Sequence, residues 1–237
     1  MDLGLSGRAA LVTAASKGLG LASARALAAE GAKVLISSRG EASLDAARRT
    51  ITGEVETVAA DMTDPATAAA LVEATIERFG RLDVVVANNG GPPPGRALEV
   101  DDDQVRAAVE ANLLSSVRLI RAALPSMEAA SWGRICCITS YSVKQPIPTL
   151  ALSNLARTGL WAWVKTAAAD VAPRGITINL ACPGPHATDR MRQLGGSGPM
   201  GDPDDFGRIV CFLCSEPAAF VNGAAVMVDG GLSTGLL

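Results

Sequence analysis

The chain has 237 residues, 49% hydrophobic and 19% charged, with a formal net charge of −3 at pH 7. That size and apolar content suit a packed α/β core; the mild acidity gives no general attraction to nucleic acid or membrane surfaces. No apolar run approaches the roughly 20 residues of a membrane span, and Asp2 in residues 1–6 is unlike a secretory signal, so a cytoplasmic protein is expected.

A short apolar run, residues 8–12, leads into the glycine turn Ser16-Lys17-Gly18-Leu19-Gly20 and then strong helix formers over residues 22–30. Further strands are predicted at 34–38, 55–59, 84–88, 134–139, 177–180 and 225–229. The intervening helices fall at 41–52, 65–79, 101 to about 123 (stopped by Pro125), 150–171 (closed by Pro173 and Gly175) and 204–213. Strands apolar on both faces, alternating with helices, imply a parallel sheet covered on each side. No linker or repeat divides residues 1–237, so one doubly wound α/β domain is expected. The five cysteines sit in apolar surroundings, and Phe212 and Leu213 separate Cys211 from Cys214; buried, reduced thiols and no metal site are expected.

In such a sheet ligands bind outside the carboxyl ends of the strands. The glycine turn opens a helix whose first amides and dipole suit a phosphate, with Thr13, Ala15, Ser16, Lys17, Gly18, Leu19 and Gly20 as the cradle. Ser38-Arg39 closes the second strand where a carboxylate would select an unphosphorylated adenosine ribose; a hydroxyl and a guanidinium there favour NADP(H). Asp61, beside Met62, is placed to accept from the adenine amino group, and Asn88-Asn89-Gly90 forms a tight turn beside a flat ligand.

These residues resemble the short-chain dehydrogenase/reductase family, in layout similar to bacterial β-ketoacyl-acyl-carrier-protein reductases. Thr13-Ala-Ala-Ser-Lys-Gly-Leu-Gly20 stands for its T-G-x-x-x-G-x-G; Asp61, Asn88-Asn89-Gly90, Asn112, Gly133-Arg134-Ile135, Ile138-Thr139-Ser140, Pro183-Gly184, Thr188 and Asp229-Gly230-Gly231 match further landmarks. The resemblance implies a single Rossmann-type domain of about seven parallel strands, cytoplasmic, acting on a small-molecule or carrier-linked substrate, and a homo-oligomer (tetramer or dimer) with an apolar tail packed on a neighbouring subunit. The family's first glycine is Ala14 here, which a negative φ would accommodate.

The catalytic pattern departs from the family. Ser140 and Asn112 hold the serine and asparagine positions, but thirteen residues beyond Ser140 stands Ser153, and four further Arg157, where tyrosine and lysine belong. Serine is a far weaker acid than a phenol, and arginine stays protonated, so the pair cannot relay a proton in the usual way. Arg157 could still hold the nicotinamide ribose. Three other groups are candidates for the missing role: Tyr141, the single tyrosine; Lys144, which could lower its pKa or bind a substrate anion; and His186, the single histidine, on a loop expected to be exposed. Ser140 and Ser153 could instead hold a proton-carrying water. The segment from Asp189 to Asp204, with Gly195-Gly-Ser-Gly, reads as a brief, flexible lid. The resulting expectation is NADPH-dependent carbonyl reduction by an atypical mechanism. The alternatives are reduction of an imine or conjugated C=C, or a nucleotide-binding scaffold without turnover.

Overall fold

A computed structural model describes residues 1–235; the last two residues of the expected apolar tail lie outside that range. Seven parallel strands form one sheet: β1 (Ala9–Val12), β2 (Lys33–Ser38), β3 (Val55–Ala59), β4 (Val84–Ala87), β5 (Gly133–Ile138), β6 (Ile176–Pro183) and β7 (Ala225–Val228), in the order β3-β2-β1-β4-β5-β6-β7. Period-two alternation explains why strands with no polar face are stable. Ala10, Val12, Val84, Val86, Cys136 and Ile138 enter one core, and Leu11, Val85, Ile135 and Cys137 enter the other. The first core is closed by α1 (Gly18–Ala29), α2 (Glu41–Arg48) and α8 (Pro203–Leu213) through Leu27, Leu44 and Phe206. The second is closed by α3 (Thr67–Phe79), α5 (Ser115–Ala130) and α6 (Ala151–Val171) through Leu71, Ile120 and Leu160.

Three local features differ from the sequence expectation. The first helix begins at Gly18, within the glycine turn itself. The helical region from residue 101 is broken into α4 (Asp102–Val109), a π-helical turn (Glu110–Leu114) and α5, and α5 continues through Pro125 to Ala130. Proline removes one N–H, freeing the carbonyl of Arg121. Arg121 and Pro125 share the exposed face, where water can satisfy that carbonyl, while Ala123 and Met127 anchor both sides of the proline in the core. The start of α4 follows its local sequence: Asp101 accepts from the Gln104 amide at 2.8 Å and the Gln104 side chain accepts from the Asp101 amide at 2.9 Å, a capping box. Finally, the expected lid holds a short helix, α7 (Asp189–Gln193). No helix among the described residues is long and apolar enough to cross a membrane.

Candidate active site

Strand order reverses between β1 and β4, and the crevice of a doubly wound sheet opens there. Thr13 ties the two loops together: its Oγ1 donates to the Asn88 carbonyl at 2.8 Å and accepts from the Asn88 amide at 3.0 Å. Asn88 Nδ2 donates to the Ala14 carbonyl at 3.1 Å, and the Ala15 amide donates to Ser37 O at 3.0 Å. Gly20 is required by this packing, since a Cβ there would lie 2.6 Å from Asn88 Nδ2 and 2.7 Å from Ala14 O. Ala14 has φ +46°, contrary to the negative value expected: turning from β1 into α1 while holding both tethers demands the left-handed region, and the methyl group is carried there under strain.

No side chain caps the N-terminus of α1, where Lys17 occupies the N-cap position. The Lys17 ammonium instead lies 3.8 Å from the Asp189 carboxylate, an exposed pair. The side chains of Ala15 and Leu19 pack toward the core, and Ser16 between them is half-buried. Thr188 overhangs the turn, its methyl 3.6 Å from where a Cβ on Gly18 would sit, and its hydroxyl caps α7 by accepting from the Met191 amide at 3.3 Å.

At the end of β2 the hydroxyls of Ser37 and Ser38 are buried and without partners, and Arg39 follows, exposed. Asp61 is exposed and accepts from the Thr63 amide at 3.0 Å and hydroxyl at 2.8 Å. Those bonds hold its carboxyl below the usual range, with the positive charge of Arg39 acting the same way. Met62 packs half-buried on the second core. Asn89 donates from Nδ2 to Ser116 Oγ at 2.9 Å and accepts from Ser115 Oγ at 3.4 Å; Gly90 stands in open space. Sequence reading missed Ser115 and Ser116; the available signal was a polar pair within an otherwise apolar helical stretch.

The catalytic-position residues lie on the loops beyond β5 and β6 and on the helices beside them. The π-helical turn carries Asn112, buried, with its Oδ1 unpartnered. Ser140 Oγ accepts from the Ser142 amide at 3.1 Å and so caps the 3-10 turn Tyr141–Val143. Ser153 and Arg157 are both buried on α6. Arg157 Nη1 donates to Ile138 O at 2.9 Å and Thr139 O at 2.8 Å. Burial pushes its guanidinium down to about 10, still cationic at neutrality. Tyr141 is half-buried, and burial followed by the charge of Asp229 raises its phenol above the ordinary value. Lys144 is half-buried, and its charge reaches the Cys182 thiol, which burial pushes up to about 12.

His186 departs from its expected exposure. It is buried, Nδ1 sits 3.0 Å from Gly184 O, and the ring meets Phe206 edge-on with centroids 5.1 Å apart. The backbone pairing of residues 186 and 201 folds the glycine-rich segment over it. Pro183-Gly184 is anchored by the Gly184 amide donating to Val228 O at 2.9 Å. The five cysteines are buried and unbridged.

A parallel sheet with a glycine-rich turn at its switch point defines the doubly wound nucleotide-fold class. Within it, residues 13–233 match the family profile described as enoyl-(acyl carrier protein) reductase. The chain is 31% identical over 244 residues to human dehydrogenase/reductase SDR family member 4, covering 96% of this chain and 88% of that protein. It is 32% identical to 3-oxoacyl-[acyl-carrier-protein] reductase FabG of Escherichia coli, covering 97% and 99% of the two chains. Among solved structures, L-sorbose reductase from Gluconobacter frateurii, complexed with NADPH and L-sorbose, superposes with a TM-score of 0.92 at 30% identity over 100% of both chains. YwfH, an NADPH-dependent reductase of bacilysin biosynthesis, gives 0.92 at 25% identity, covering 97% of this chain and 99% of its own. This chain belongs to the short-chain dehydrogenase/reductase family of oxidoreductases.

Proposed function

We propose that the chain is an NADP(H)-dependent reductase that delivers hydride to a carbonyl-type carbon of a small or carrier-linked substrate without a tyrosine acid. One observation carries the reading: the N-terminus of α1 opens into the crevice with no side-chain cap, leaving its first amides to an anion. The orphaned hydroxyl of Ser38, beside Arg39, fits a ribose phosphate, and no carboxylate closes β2 to oppose it. Residues Ser16–Gly20 would hold the pyrophosphate, Ser38 and Arg39 the ribose phosphate, Asp61 and Met62 the adenine. Asn88–Gly90, Pro183-Gly184 and Thr188 would hold the nicotinamide half.

The bound dinucleotide supplies the hydride. Ser140, fixed by its turn, presents its hydroxyl to the substrate oxygen, and Asn112 and Ser153 leave polar atoms where a water can be held. The Arg157 cation, bonded to the two carbonyls that precede Ser140, adds positive potential to the site where negative charge develops on that oxygen. Tyr141 is disfavoured as the acid, since its environment opposes the phenolate; His186 is committed to Gly184 and Phe206. The proton then comes from water through Ser140, whose hydroxyl accepts from the Ser142 amide and keeps its own hydrogen to donate. Absence of a general acid forfeits roughly 10²–10⁴ in rate, against the larger contribution of positioning.

Single-turnover oxidation of NADPH, with ketones, enones and cyclic imines at high enzyme concentration, tests this. Oxidation by ketones is expected, with a loss under about tenfold for Tyr141→Phe, a loss of about 10²-fold for Ser140→Ala and no fall in rate from pH 6 to 9. Oxidation by imines or enones alone transfers the reading to those bonds. Nucleotide binding without oxidation by any compound overturns it in favour of a scaffold.

A further inference from the structure

We propose that Arg190 is the anchor for a carboxylate on the substrate, so that the compound reduced is an oxo acid rather than a neutral ketone. The inference rests on the reductase reading and names the substrate class of that site. Arg190 is the second residue of α7, beyond the Thr188 cap. Its half-buried guanidinium spans the cleft mouth to the loop after β4, where Nη2 donates to the Pro92 carbonyl at 2.6 Å. Nε and Nη2 both lie 3.1 Å from where a Cβ on Gly91 would sit, so glycine gives the guanidinium its place. Pro92 O is its one hydrogen-bond acceptor among the described residues, so most of a planar fork of five N–H donors is uncommitted.

The charge around it is one-sided. No carboxylate lies within 4 Å of Arg190, Arg157 or Lys144 among the described residues. The nearest acid in the chain, Asp189, is engaged by Lys17 at 3.8 Å and Arg192 at 2.5 Å. Asp229, across the site near Tyr141, is occupied by the Gly231 and Ser233 amides at 3.0 and 2.9 Å and by the Ser233 hydroxyl. The charge of Arg190 acts on Arg157, and those of Arg157 and Lys144 act on the Cys182 thiol. A guanidinium with no carboxylate partner takes one through two parallel bonds. The tie to Pro92 O is to an uncharged acceptor, so an entering carboxylate, which carries the opposite charge, can replace it.

The alternative is that Arg190 merely straps α7 to the loop after β4. Calorimetric titration separates the two. Aliphatic acids of three to six carbons, each beside its amide, are titrated into the protein with and without saturating NADP⁺. At least one acid is expected to bind roughly tenfold or more tighter than its amide, the strength of a charge-assisted pair. Arg190→Gln should bring that ratio near one, and Arg190→Lys should restore part of it. Equal binding of acid and amide by the native protein, or a ratio unmoved in Arg190→Gln, overturns the anchor. Matched oxo acids and oxo amides are then followed by NADPH oxidation in single turnover. If neither oxidises the nucleotide while the acid preference in binding persists, the reductase reading falls and the anion site stands. If both are reduced equally well, the anchor is overturned and the reductase reading stands.

Discussion

Arg157 donates to the Thr139 carbonyl at 2.8 Å from the same Nη1 that reaches Ile138 O at 2.9 Å. A buried residue of α6 is thus bonded to the backbone where β5 ends, just before Ser140. Both bonds leave one nitrogen, as an ammonium's could; what the guanidinium adds is a charge it keeps, where an amine can give up its proton. The two bonds hold the backbone that leads into the Ser140 loop.

Arg157→Met should therefore act on stability as well as on rate. It strands two buried carbonyls, each unsatisfied group costing about 1–3 kcal/mol. A loss of about 2–5 kcal/mol would lower the melting temperature by roughly 5–15 °C in a domain of this size. Arg157→Lys should recover part of it. Thermal denaturation followed by circular dichroism gives the answer, and a shift below one degree for Arg157→Met would show that the carbonyls find other partners.

The backbone at Ala14 yields a prediction of opposite sign. Its φ of +46° places a methyl group where L-residues carry strain. Relief of that strain is worth about 1–2 kcal/mol, offset by the greater freedom glycine has in the unfolded chain, about 0.5–1 kcal/mol. Ala14→Gly should stabilise by about 0.5–1 kcal/mol, and Ala14→Val should destabilise by more than that, because a branched side chain resists positive φ. Urea midpoints of the three proteins measure this directly. A Gly variant less stable than the native chain would mean the strain is not borne at this residue.

These two residues show what could be read along the chain and what could not. The strands were legible because runs such as Val84-Val-Val have no polar face, and a parallel sheet is what buries such runs. Counting thirteen and seventeen residues on from Ser140 reaches Ser153 and Arg157, and both lie buried on one helix, α6. The sign of φ at Ala14 was not legible, since tethers to Asn88 and Ser37, far along the chain, impose it. Nor was the burial of His186, which depends on Phe206 and on the segment at Gly201 folding back. Pro125 misled for a related reason: a local helix breaker was overruled by core contacts on either side. Arg190 carried no signal, because its meaning is a contact with Pro92, 98 residues away.

The end of β2 tests the choice of coenzyme. Ser38 Oγ is buried without a partner, one residue before the exposed Arg39. A carboxylate there would repel a ribose phosphate and accept from a ribose hydroxyl instead. Repulsion of about 1.4–2.8 kcal/mol, modest for two charges a few ångströms apart at a partly screened site, is about 10–100-fold in affinity. Ser38→Asp should weaken NADPH by that factor and leave NADH equal or tighter; Arg39→Ala should weaken NADPH alone, by less, because an exposed pair is well screened. Fluorescence titration of both nucleotides reads the ratio. The argument for a phosphate at this edge fails if Ser38→Asp binds NADPH and NADH in the same proportion as the native protein.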